Sequence, residues 1–532
     1  MLRGPGFVFF RPVLAVVFLA ALACWPLRDA IWTQRIAGAG PDVLATTWGM
    51  WWFSQEWASG AWGAHTELVN FPAGATGAVL SPITATIWSL LSHAVGVATA
   101  TTWTDIVYLF ASLACVALLA RATGLRGPFA VVAGALVVLP RYPIYAIGET
   151  SLVGITGLTV PLGAFALYRA QTNVRWNVLF ALCVGVTGIE MPYLVPVLPV
   201  IALARFRTVG TVVACAAGGV ILAIFASLHA HSQSAAFGMM SEVARVRLGP
   251  WKWLVIEAPW ARSNLIELVV PADVRWSLNT HSTEYAMGRD YLGVSSILLC
   301  LVCLYFRPGR WGWVALGAVA VALATGSDWG GYPAPFALLN GLCWRLVRGL
   351  TQPTRYLLVS AFAFAIAGAH ALEAAWARSR LLGGLLLAFA CADAALFGGL
   401  SLRLPTMTFP SAPCVAALRS EGPGGVLLWP WDGLRVSDEG RQREYQMLHE
   451  HPTPGFGVGS WQMNGAKPAG QLLEGLGWED AAKGRGPLDL AGLRKLGFRW
   501  VIVDIASSTV VDTQRWFGAP ISTCEGVSVH RL

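Results

Sequence analysis

The chain has 532 residues, of which 55% are hydrophobic and only 12% are charged. An average soluble domain carries about 25% charged residues, so this composition excludes an ordinary soluble protein and indicates a polytopic membrane protein. The formal net charge is +8, but much of the excess lies in short connections between apolar segments, where arginines set membrane topology. No nucleic-acid partner is therefore implied.

A membrane-spanning helix needs about 20 mostly apolar residues, and about eleven segments of the chain approach that description. They are residues 9–27, 103–121, 127–146, 150–168, 176–192, 193–207, 209–228, 290–306, 311–326, 356–376 and 382–402. The first segment resembles a signal peptide, but bulky residues surround any cleavage point, so we expect a retained helix.

The connections between these segments alternate in arginine content. Every second connection holds a pair of arginines: Arg3 and Arg11, Arg121 and Arg126, Arg169 and Arg175, Arg205 and Arg207, Arg307 and Arg310, Arg378 and Arg380. Short arginine-rich connections stay in the cytoplasm, so the pattern predicts a cytoplasmic N-terminus. The long connections, residues 28–102, 230–289 and 327–355, are then predicted to lie outside and to roof a cavity on that face.

The first outer connection contains the most distinctive stretch of the chain, residues 40–72. On a helix, its tryptophans would form a stripe of amphipathic rings suited to the headgroup layer, so we expect a helix lying in the membrane interface. Asp42 precedes this helix and could act as a base on a substrate held by its lipid tail; the alternative is an ordinary loop aspartate. The tryptophans are Trp48, Trp51, Trp52, Trp57 and Trp62.

Ionisable residues near membrane depth are costly and are therefore candidates for function. Glu149 lies at the predicted outer end of the third span and Glu190 near that of the fifth, so both should approach the side where Asp42 emerges. Each could instead be neutralised by an arginine or held protonated. Three residues of the last two spans are expected to be structural: His370, Glu373 and Asp393.

Arginines in the outer connections are candidates for binding an anion. Arg355 opens the tenth predicted span at headgroup level, where a guanidinium fork fits phosphate oxygens; a simple membrane anchor is the alternative. Arg141 and Arg289 are further phosphate candidates. No phosphate-cradling glycine loop occurs in the outer regions, which argues against a soluble nucleotide-sugar or ATP as substrate, and no Cys and His spacing indicates a metal site.

The chain changes character near Leu404, where charge rises and apolar runs shorten. Residues 425–430 and 498–504 are typical of buried strands, and residues 488–496 have helical spacing that ends at Gly497.

We therefore predict a transmembrane domain over residues 1–403 and a small extracytoplasmic α/β domain over residues 404–532. Cys414 and Cys524 lie near the two ends of the second domain and either form a disulfide or remain free.

Several short motifs follow one another along the chain. They are Gly40-Pro41-Asp42, Phe71-Pro72-Ala73-Gly74, Gly148-Glu149, Tyr291-Leu292-Gly293, Thr351 to Tyr356 (TQPTRY), and Tyr445-Gln446 with His449 and Pro452. In this order they resemble the GT-C class of integral-membrane glycosyltransferases, of the bacterial type with a C-terminal extracytoplasmic domain. Members often have Gly-Asp, Gly-His and Arg where this chain has Pro41-Asp42, Gly148-Glu149 and Thr351.

The resemblance implies a mainly α fold: a polytopic helical bundle of about 11 spans with a small α/β domain, in a bacterial inner membrane. It also implies inverting transfer of a hexose or pentose from a polyprenyl-phosphate donor to a glycan, lipid or protein acceptor. Asp42, with Glu149 and Glu190 as rivals, would be the base, and arginines would hold the phosphate. No cofactor is expected, and the sequence does not support a divalent metal.

Two other classes of function stay open at this level. A transporter or flippase for lipid-linked saccharides would share the outer cavity, but polar groups along a path through the bilayer midplane would be expected. A non-catalytic scaffold of the same fold would need no base. The clustering of candidate groups at one face favours the enzyme.

The topology can be tested with reporter tags. We expect tags at the C-terminus and within residues 230–289 both to report from the non-cytoplasmic side, because the alternating arginine pairs set that orientation. A tag in the connection at residues 307–310 is the matched control and should report from the cytoplasm. A cytoplasmic signal from the C-terminal tag would contradict the scheme.

Overall fold

The computed structural model describes most of the chain in segments. These are residues 5–38, 41–59, 68, 71–72, 74, 82–149, 154–170, 173, 175–190, 194, 197–199, 201, 210, 212–220, 245–247, 255–257, 268–269, 291–326, 328–329, 332–337, 339, 353–409, 411–429, 436–454, 472–504, 513–524 and 526–532.

Helices dominate the described residues. In chain order the α-helices are α1 (Pro5–Cys24), α2 (Arg28–Thr33), α3 (Pro41–Ser59), α4 (Pro82–Val95), α5 (Val97–Ala122), α6 (Gly127–Leu136), α7 (Tyr142–Glu149), α8 (Gly154–Ala170), α9 (Trp176–Glu190), α10 (Val294–Phe306), α11 (Trp311–Ala324), α12 (Leu357–Arg378), α13 (Arg380–Leu396), α14 (Pro413–Ala416), α15 (Val436–His449), α16 (Trp478–Ala482), α17 (Leu490–Lys495) and α18 (Thr513–Phe517).

The strands within the described residues are short and form one larger sheet and three pairs. They are β1 (Ile36–Ala37), β2 (Arg245–Arg247), β3 (Val255–Glu257), β4 (Asp328–Trp329), β5 (Tyr332–Pro333), β6 (Thr406–Met407), β7 (Gly425–Trp429), β8 (Phe498–Asp504), β9 (Ser522–Cys524) and β10 (Val527–Arg531). The larger sheet has the order β7-β8-β10-β9, with β7 and β8 parallel and the other neighbours antiparallel. The pairs are β1 with β6, β2 with β3, and β4 with β5.

The chain folds into two compact units. One, the helical unit, contains residues 1–38, 99–228 and 240–406. The other, the mixed unit, contains residues 39–98, 229–239 and 407–532. Residues 39–98, which belong to the predicted first outer connection, therefore fold together with the C-terminal part of the chain.

Helix α12 forms the centre of the helical unit. Its apolar segment is wholly buried, and it packs against α6, α10, α11 and α13. Many of its residues are alanine or glycine, which lets neighbouring helices approach closely. On α11, Gly317 meets the ring of Phe364 so closely that an added Cβ would lie 2.2 Å from Cε1. A side chain at this glycine would force the two helices apart.

Four described helical segments are long and apolar enough to cross a membrane: Val13–Thr33, Val97–Ala122, Thr354–Arg378 and Arg380–Ser401. Shorter apolar helices occur at α6, α9 and α10. Exposed apolar side chains cover parts of α1 and α13, as expected of faces that contact lipid. The chain is a membrane protein, and the count of about eleven spans stays a prediction.

The structure divides one predicted span into two helices. Residues 127–146 were expected to form a single helix, but α6 ends at Leu136 and α7 begins at Tyr142. Pro140 lies between them, and proline interrupts the backbone hydrogen bonding of a helix. The freed N–H of Arg141 donates instead to the carbonyl of Tyr291 at 2.9 Å. Predicted segment 193–207 lies largely outside the described residues, and segment 209–228 is described at residues 210 and 212–220.

In the mixed unit, both faces of the larger sheet are covered. Leu427, Val501 and Val503 point into one hydrophobic cluster, whereas Leu428 and Ile502 point into a second one. Strands buried on both faces read as continuous apolar runs, which is why the sequence predicted them at these positions. Helix α17 precedes β8 in the predicted range.

Gly497 and the two cysteines of the mixed unit were each the subject of a prediction from the sequence. Gly497 has a φ of +94°, a conformation that glycine adopts without strain, and it ends the α17 segment as expected. Cys414 and Cys524 form a disulfide with a Cα–Cα distance of 5.7 Å, so the paired alternative is the one found in the structure.

Candidate functional site

Helix α3 carries Asp42 as its second residue. The helix is apolar over most of its surface, and residues from Val43 to Ser54 are almost all buried. Trp48 and Trp52 stack in parallel with ring centroids 6.0 Å apart. Asp42 is therefore placed on the first turn of a helix that the protein holds firmly, rather than in a loop.

The predicted stripe of tryptophan rings facing the headgroup layer is not found at the described positions of this helix, and its position relative to the membrane stays a prediction. Trp48, Trp51 and Trp52 are only 0%, 4% and 2% exposed, because α3 packs against α4 and α15 within the mixed unit. A helix that is hydrophobic on all sides buries its rings in protein, whereas the headgroup layer suits a helix with one polar face. Trp62 lies outside the described residues.

Gln446, on α15, joins three parts of the mixed unit. Its amide oxygen accepts a hydrogen bond from the indole N–H of Trp48 at 2.9 Å. Its amide nitrogen donates to the carbonyl of Leu68 and to that of His451, the latter at 3.2 Å. Gln446 is 2% exposed, so these are fully buried hydrogen bonds. They fix α3 to α15 and to the first connection.

The Phe71-Pro72 motif is anchored on the end of the larger sheet. The N–H of Phe71 donates to the carbonyl of Thr453 at 3.1 Å, and its ring meets Phe498 edge to face at 5.2 Å. Gly425 leaves room for that ring, because a Cβ there would lie 2.7 Å from it. The motif that resembles the family therefore seats the first connection on β7 and β8.

The motif of Tyr445, Gln446, His449 and Pro452 also makes contacts that stabilise the mixed unit. His449 is 1% exposed, and burial together with the neighbouring His451 lowers the pKa of His449 to about 3. Its Nδ1 accepts a hydrogen bond from the N–H of His451 at 2.9 Å. Pro452 accepts a hydrogen bond from the N–H of Val426 on β7 at 2.8 Å. His449 stays neutral at physiological pH and orders this turn.

In the helical unit, Arg141 lies between α6 and α7 and is 6% exposed. Its Nε donates to the carbonyl of Phe397 at 2.6 Å, and its guanidinium also reaches the hydroxyl of Ser401 at 3.3 Å. Phe397 follows the last residue of α13, so the arginine binds a carbonyl at the end of that helix. These contacts give Arg141 a role in positioning α7.

Asp393, near the end of α13, accepts several hydrogen bonds from the start of α10. The hydroxyl of Tyr291 donates to Oδ1 at 2.5 Å. The N–H and hydroxyl of Ser295 both donate to Oδ2, at 2.9 and 2.5 Å. Asp393 thereby caps α10 from another helix, as expected of a structural carboxylate. His370 and Glu373 likewise contact Thr123 and the backbone N–H of Arg126.

The two rival carboxylates lie at helix ends. Glu149 is the last residue of α7, about 12 Å along the helix axis from Arg141 at 1.5 Å per residue. Glu190 is the last residue of α9 and is 3% exposed.

Arg355 lies in the 3-10 turn Pro353–Tyr356, directly before α12. It is partly buried between Thr354 and Tyr356, which are 3% and 1% exposed. The positive end of the helix dipole adds to its charge. The charge of Arg355 and the helix dipole both favour an anion at this end of α12. Arg289, the third candidate, lies outside the described residues.

Two acidic residues escaped the sequence reasoning. Asp105 on α5 is 1% exposed, and its Oδ1 has no hydrogen-bond partner in the part of the chain that the structure describes. The signal was available, since an aspartate interrupts an apolar span there. Glu444 on α15 has its pKa raised to about 7 by burial, although Arg441 lowers it. Its burial could not be read from a largely polar helix.

Among the described residues, no three His, Cys, Asp or Glu side chains are grouped as a metal site would require.

Comparison with known proteins gives similarity in structure only. No family model and no curated protein matches the sequence. The arabinofuranosyltransferase AftD from Mycobacteria is similar with a TM-score of 0.52 and 14% identity, over 98% of this chain and 39% of that one. The fold is that of the GT-C glycosyltransferases. The resemblance drawn from the sequence is thus confirmed for the fold, and the chain spans about two-fifths of the length of AftD.

Two further solved structures have lower TM-scores and add no weight. The oligosaccharyltransferase AglB from Archaeoglobus fulgidus has a TM-score of 0.49 and 11% identity, over 94% of this chain and 70% of that one. ArnT from Cupriavidus metallidurans has a TM-score of 0.42 and 13% identity, over 99% of this chain and 98% of that one.

The role of Gln446 can be tested against a neighbour on the same helix. Gln446→Leu should lower the Tm by several degrees, because it leaves the Trp48 N–H without its acceptor. Each buried polar group that loses its partner lowers the free energy of unfolding by about 1–3 kcal/mol. Gln442→Leu is the matched control. Gln442 is also buried, but its amide has no partner in the described residues. The Tm of this variant should therefore equal or exceed that of the parent. Thermal unfolding of purified protein in detergent measures both. Equal Tm values for the two variants would contradict the assigned role.

Proposed function

We propose that this chain is a membrane glycosyltransferase that moves a sugar from a polyprenyl-phosphate carrier to an extracytoplasmic acceptor, with inversion at the anomeric carbon. The observation that carries the proposal is the placement of Asp42 on the first turn of a firmly held helix within a GT-C fold.

In the proposed reaction, a carboxylate oxygen of Asp42 takes the proton from an acceptor hydroxyl. The acceptor oxygen forms a bond to the anomeric carbon on the face opposite the phosphate, and the bond from that carbon to the phosphate oxygen breaks. The polyprenyl phosphate leaves with the bonding electrons. Because phosphate is already a good leaving group, positioning, one base and a cation are sufficient.

Arg355 is the cation that we assign to the departing phosphate. It is partly buried beside the start of α12, where lower solvent access strengthens its attraction for an anion. Arg141 is assigned a positioning role instead, because its guanidinium binds the Phe397 carbonyl and the Ser401 hydroxyl. Arg289 stays a candidate on sequence grounds.

The disulfide between Cys414 and Cys524 supports the proposed location of the C-terminal region. Disulfides persist in oxidising compartments and are rare in the cytosol. The arginine pattern of the connections predicts the same side. Both support an acceptor outside the cytoplasm.

Replacement of Asp42 tests the base. Asp42→Asn keeps the size of the side chain but cannot accept the proton of the acceptor, and general-base assistance is worth about 10²–10⁴ in rate. We expect transfer from a labelled polyprenyl-phosphate sugar in proteoliposomes to fall by about that factor, with donor binding and Tm nearly unchanged.

The amide variants Glu149→Gln and Glu190→Gln belong in the same assay as controls. Near-normal transfer by Asp42→Asn, with one of these two inactive, would reassign the base. No transfer by the parent protein with any polyprenyl-phosphate sugar would instead support a non-catalytic protein.

Replacement of Arg355 tests the phosphate clamp. Arg355→Ala should raise the KM for the donor, and Arg355→Lys should restore only part of the loss because an ammonium group lacks the bidentate fork. Arg403→Ala, at an exposed arginine after α13, is the control and should keep the parent KM. If Lys and Ala at position 355 both give parent activity, Arg355 only anchors its helix.

A further inference from the structure

Arginines concentrate at one end of the helical unit, the end that the sequence predicts to face the cytoplasm. The turn from α5 to α6 carries Arg121 and Arg126, and the turn from α10 to α11 carries Arg307 and Arg310. We call these four residues the arginine cluster. Three of them are exposed and Arg310 is half-buried, so the cluster is open to a ligand. Neither turn contains an acidic residue.

The two turns lie against each other. Nη2 of Arg310 lies 3.5 Å from the position that a Cβ on Gly124 would occupy, so the missing side chain lets this guanidinium approach the first turn. Nη1 of Arg121 lies 3.5 Å from the corresponding position on Gly127. The two glycines are three residues apart, which limits their Cα atoms to a separation of about 11 Å. Guanidinium groups from both turns therefore lie beside one short segment of backbone.

Little acidic charge balances the cluster. Arg121, Arg307 and Arg310 form no ion pair with another residue that the structure describes. Arg126 pairs with Glu373, near the end of α12, with its Nε 3.8 Å from Oε1. The side chain of Arg126 is 80% exposed, and ion pairs this exposed contribute little. Because like charges at this spacing repel one another, the arrangement favours an additional anion.

Helix stability does not explain the cluster. Arg126 and Arg310 are the N-cap residues of α6 and α11, and neither makes a side-chain cap hydrogen bond. The N-terminus of a helix carries partial positive charge and prefers an acidic or hydroxyl side chain at this position. The rule for cytoplasmic connections accounts for arginines at this end of the unit, but not for their placement beside one segment of backbone.

Exposed aromatic rings flank the second turn of the cluster. Tyr305 is 77% exposed and Trp311 is 64% exposed, and they lie on either side of Arg307 and Arg310 in the chain. Amphipathic rings of this kind are enriched at the headgroup layer of a membrane. The cluster is therefore expected at the depth of the lipid phosphates. These surroundings favour a phospholipid headgroup over a soluble anion.

We propose that the arginine cluster binds an anionic phospholipid with two phosphate groups, of the cardiolipin type. Guanidinium forks bind phosphate oxygens bidentately, and basic pockets between transmembrane helices on the cytoplasmic side bind such headgroups. Arg121 engages one phosphate and Arg310 the other, whereas a lipid with a single phosphate engages one side of the segment. The bound lipid ties the two turns together. This inference goes beyond the proposed function and does not depend on it.

The test measures lipid binding to the full chain in detergent micelles. Cardiolipin should raise the Tm of the parent by several degrees, phosphatidylglycerol at equal phosphate should raise it less, and phosphatidylcholine should leave it unchanged. Arg121→Gln combined with Arg310→Gln removes one guanidinium on each side of the segment. The Kd of this variant for cardiolipin, measured by native mass spectrometry, should rise at least about tenfold, because hydrogen bonds between charged groups are lost.

Arg175→Gln combined with Arg380→Gln is the matched control. It removes the same charge from the same end of the helical unit, at exposed arginines outside the cluster. It should bind cardiolipin like the parent. An equal loss of binding in the control would show general attraction to anionic lipid and would overturn the site. A parent whose Tm responds equally to cardiolipin and to phosphatidylcholine, or equally to cardiolipin and to inorganic pyrophosphate, would overturn it as well.

The Tm without added lipid separates lipid binding from a purely structural role. Arg121→Gln with Arg310→Gln relieves repulsion between like charges, so its lipid-free Tm should equal or exceed that of the parent. Arg121→Lys with Arg310→Lys keeps both charges but loses the bidentate forks, and it should weaken cardiolipin binding by a smaller factor. A parent-like Kd in both double variants would mean that the cluster serves only topology.

Discussion

The position of α3 depends on one buried side chain, Gln446. Its amide accepts a hydrogen bond from an indole N–H on α3 and donates to two backbone carbonyls. Any displacement of α3 from α15 would therefore leave buried polar groups without partners. Phe71 adds a second constraint, because its ring is held against Phe498 above a strand that begins with glycine. Both contacts fix the helix that carries Asp42, the base of the proposed reaction. If transfer proceeds as proposed, with positioning as a main source of the rate, this fixed helix would be the main contribution of the mixed unit.

In the helical unit, buried charged side chains join helices through hydrogen bonds in a similar way. Asp393 satisfies donors at the start of α10, and Arg141 binds a carbonyl just beyond the end of α13. Each ion lies where the partial charge of a helix end is opposite to its own. In both cases the ion joins two helices that are distant in sequence, which fixes the interruption between α6 and α7. Asp393 and Arg141 thus both bind backbone groups and hydroxyls of another helix.

Much of the fold could be predicted because it follows from local pattern. Apolar runs gave most helix positions in the helical unit, and the continuous apolar strands β7 and β8 lie where their sequences indicated. The tryptophan helix shows the limit. Its spacing fits an exposed stripe of rings and a buried helix equally well, and the rings are buried because the helix packs against α4 and against α15, which is distant in sequence. The Tyr-Gln-His-Pro motif was recognised as a family feature, but the hydrogen bonds of Gln446 could not be read from it.

The candidate site was predictable to a smaller degree, because the sequence gives residue types but not what they contact. Arg141 and Arg355 looked alike as outer arginines, and their surroundings distinguish them: one guanidinium binds a carbonyl and a hydroxyl, the other lies beside the start of the central helix. Similarly, Gln442 and Gln446 are one turn apart on a polar helix and differ only in their partners. The three hydrogen bonds of Gln446 identify it as a residue that holds the fold. Position along a helix does not give this information, because the Gln442 amide, one turn earlier, has no partner among the described residues.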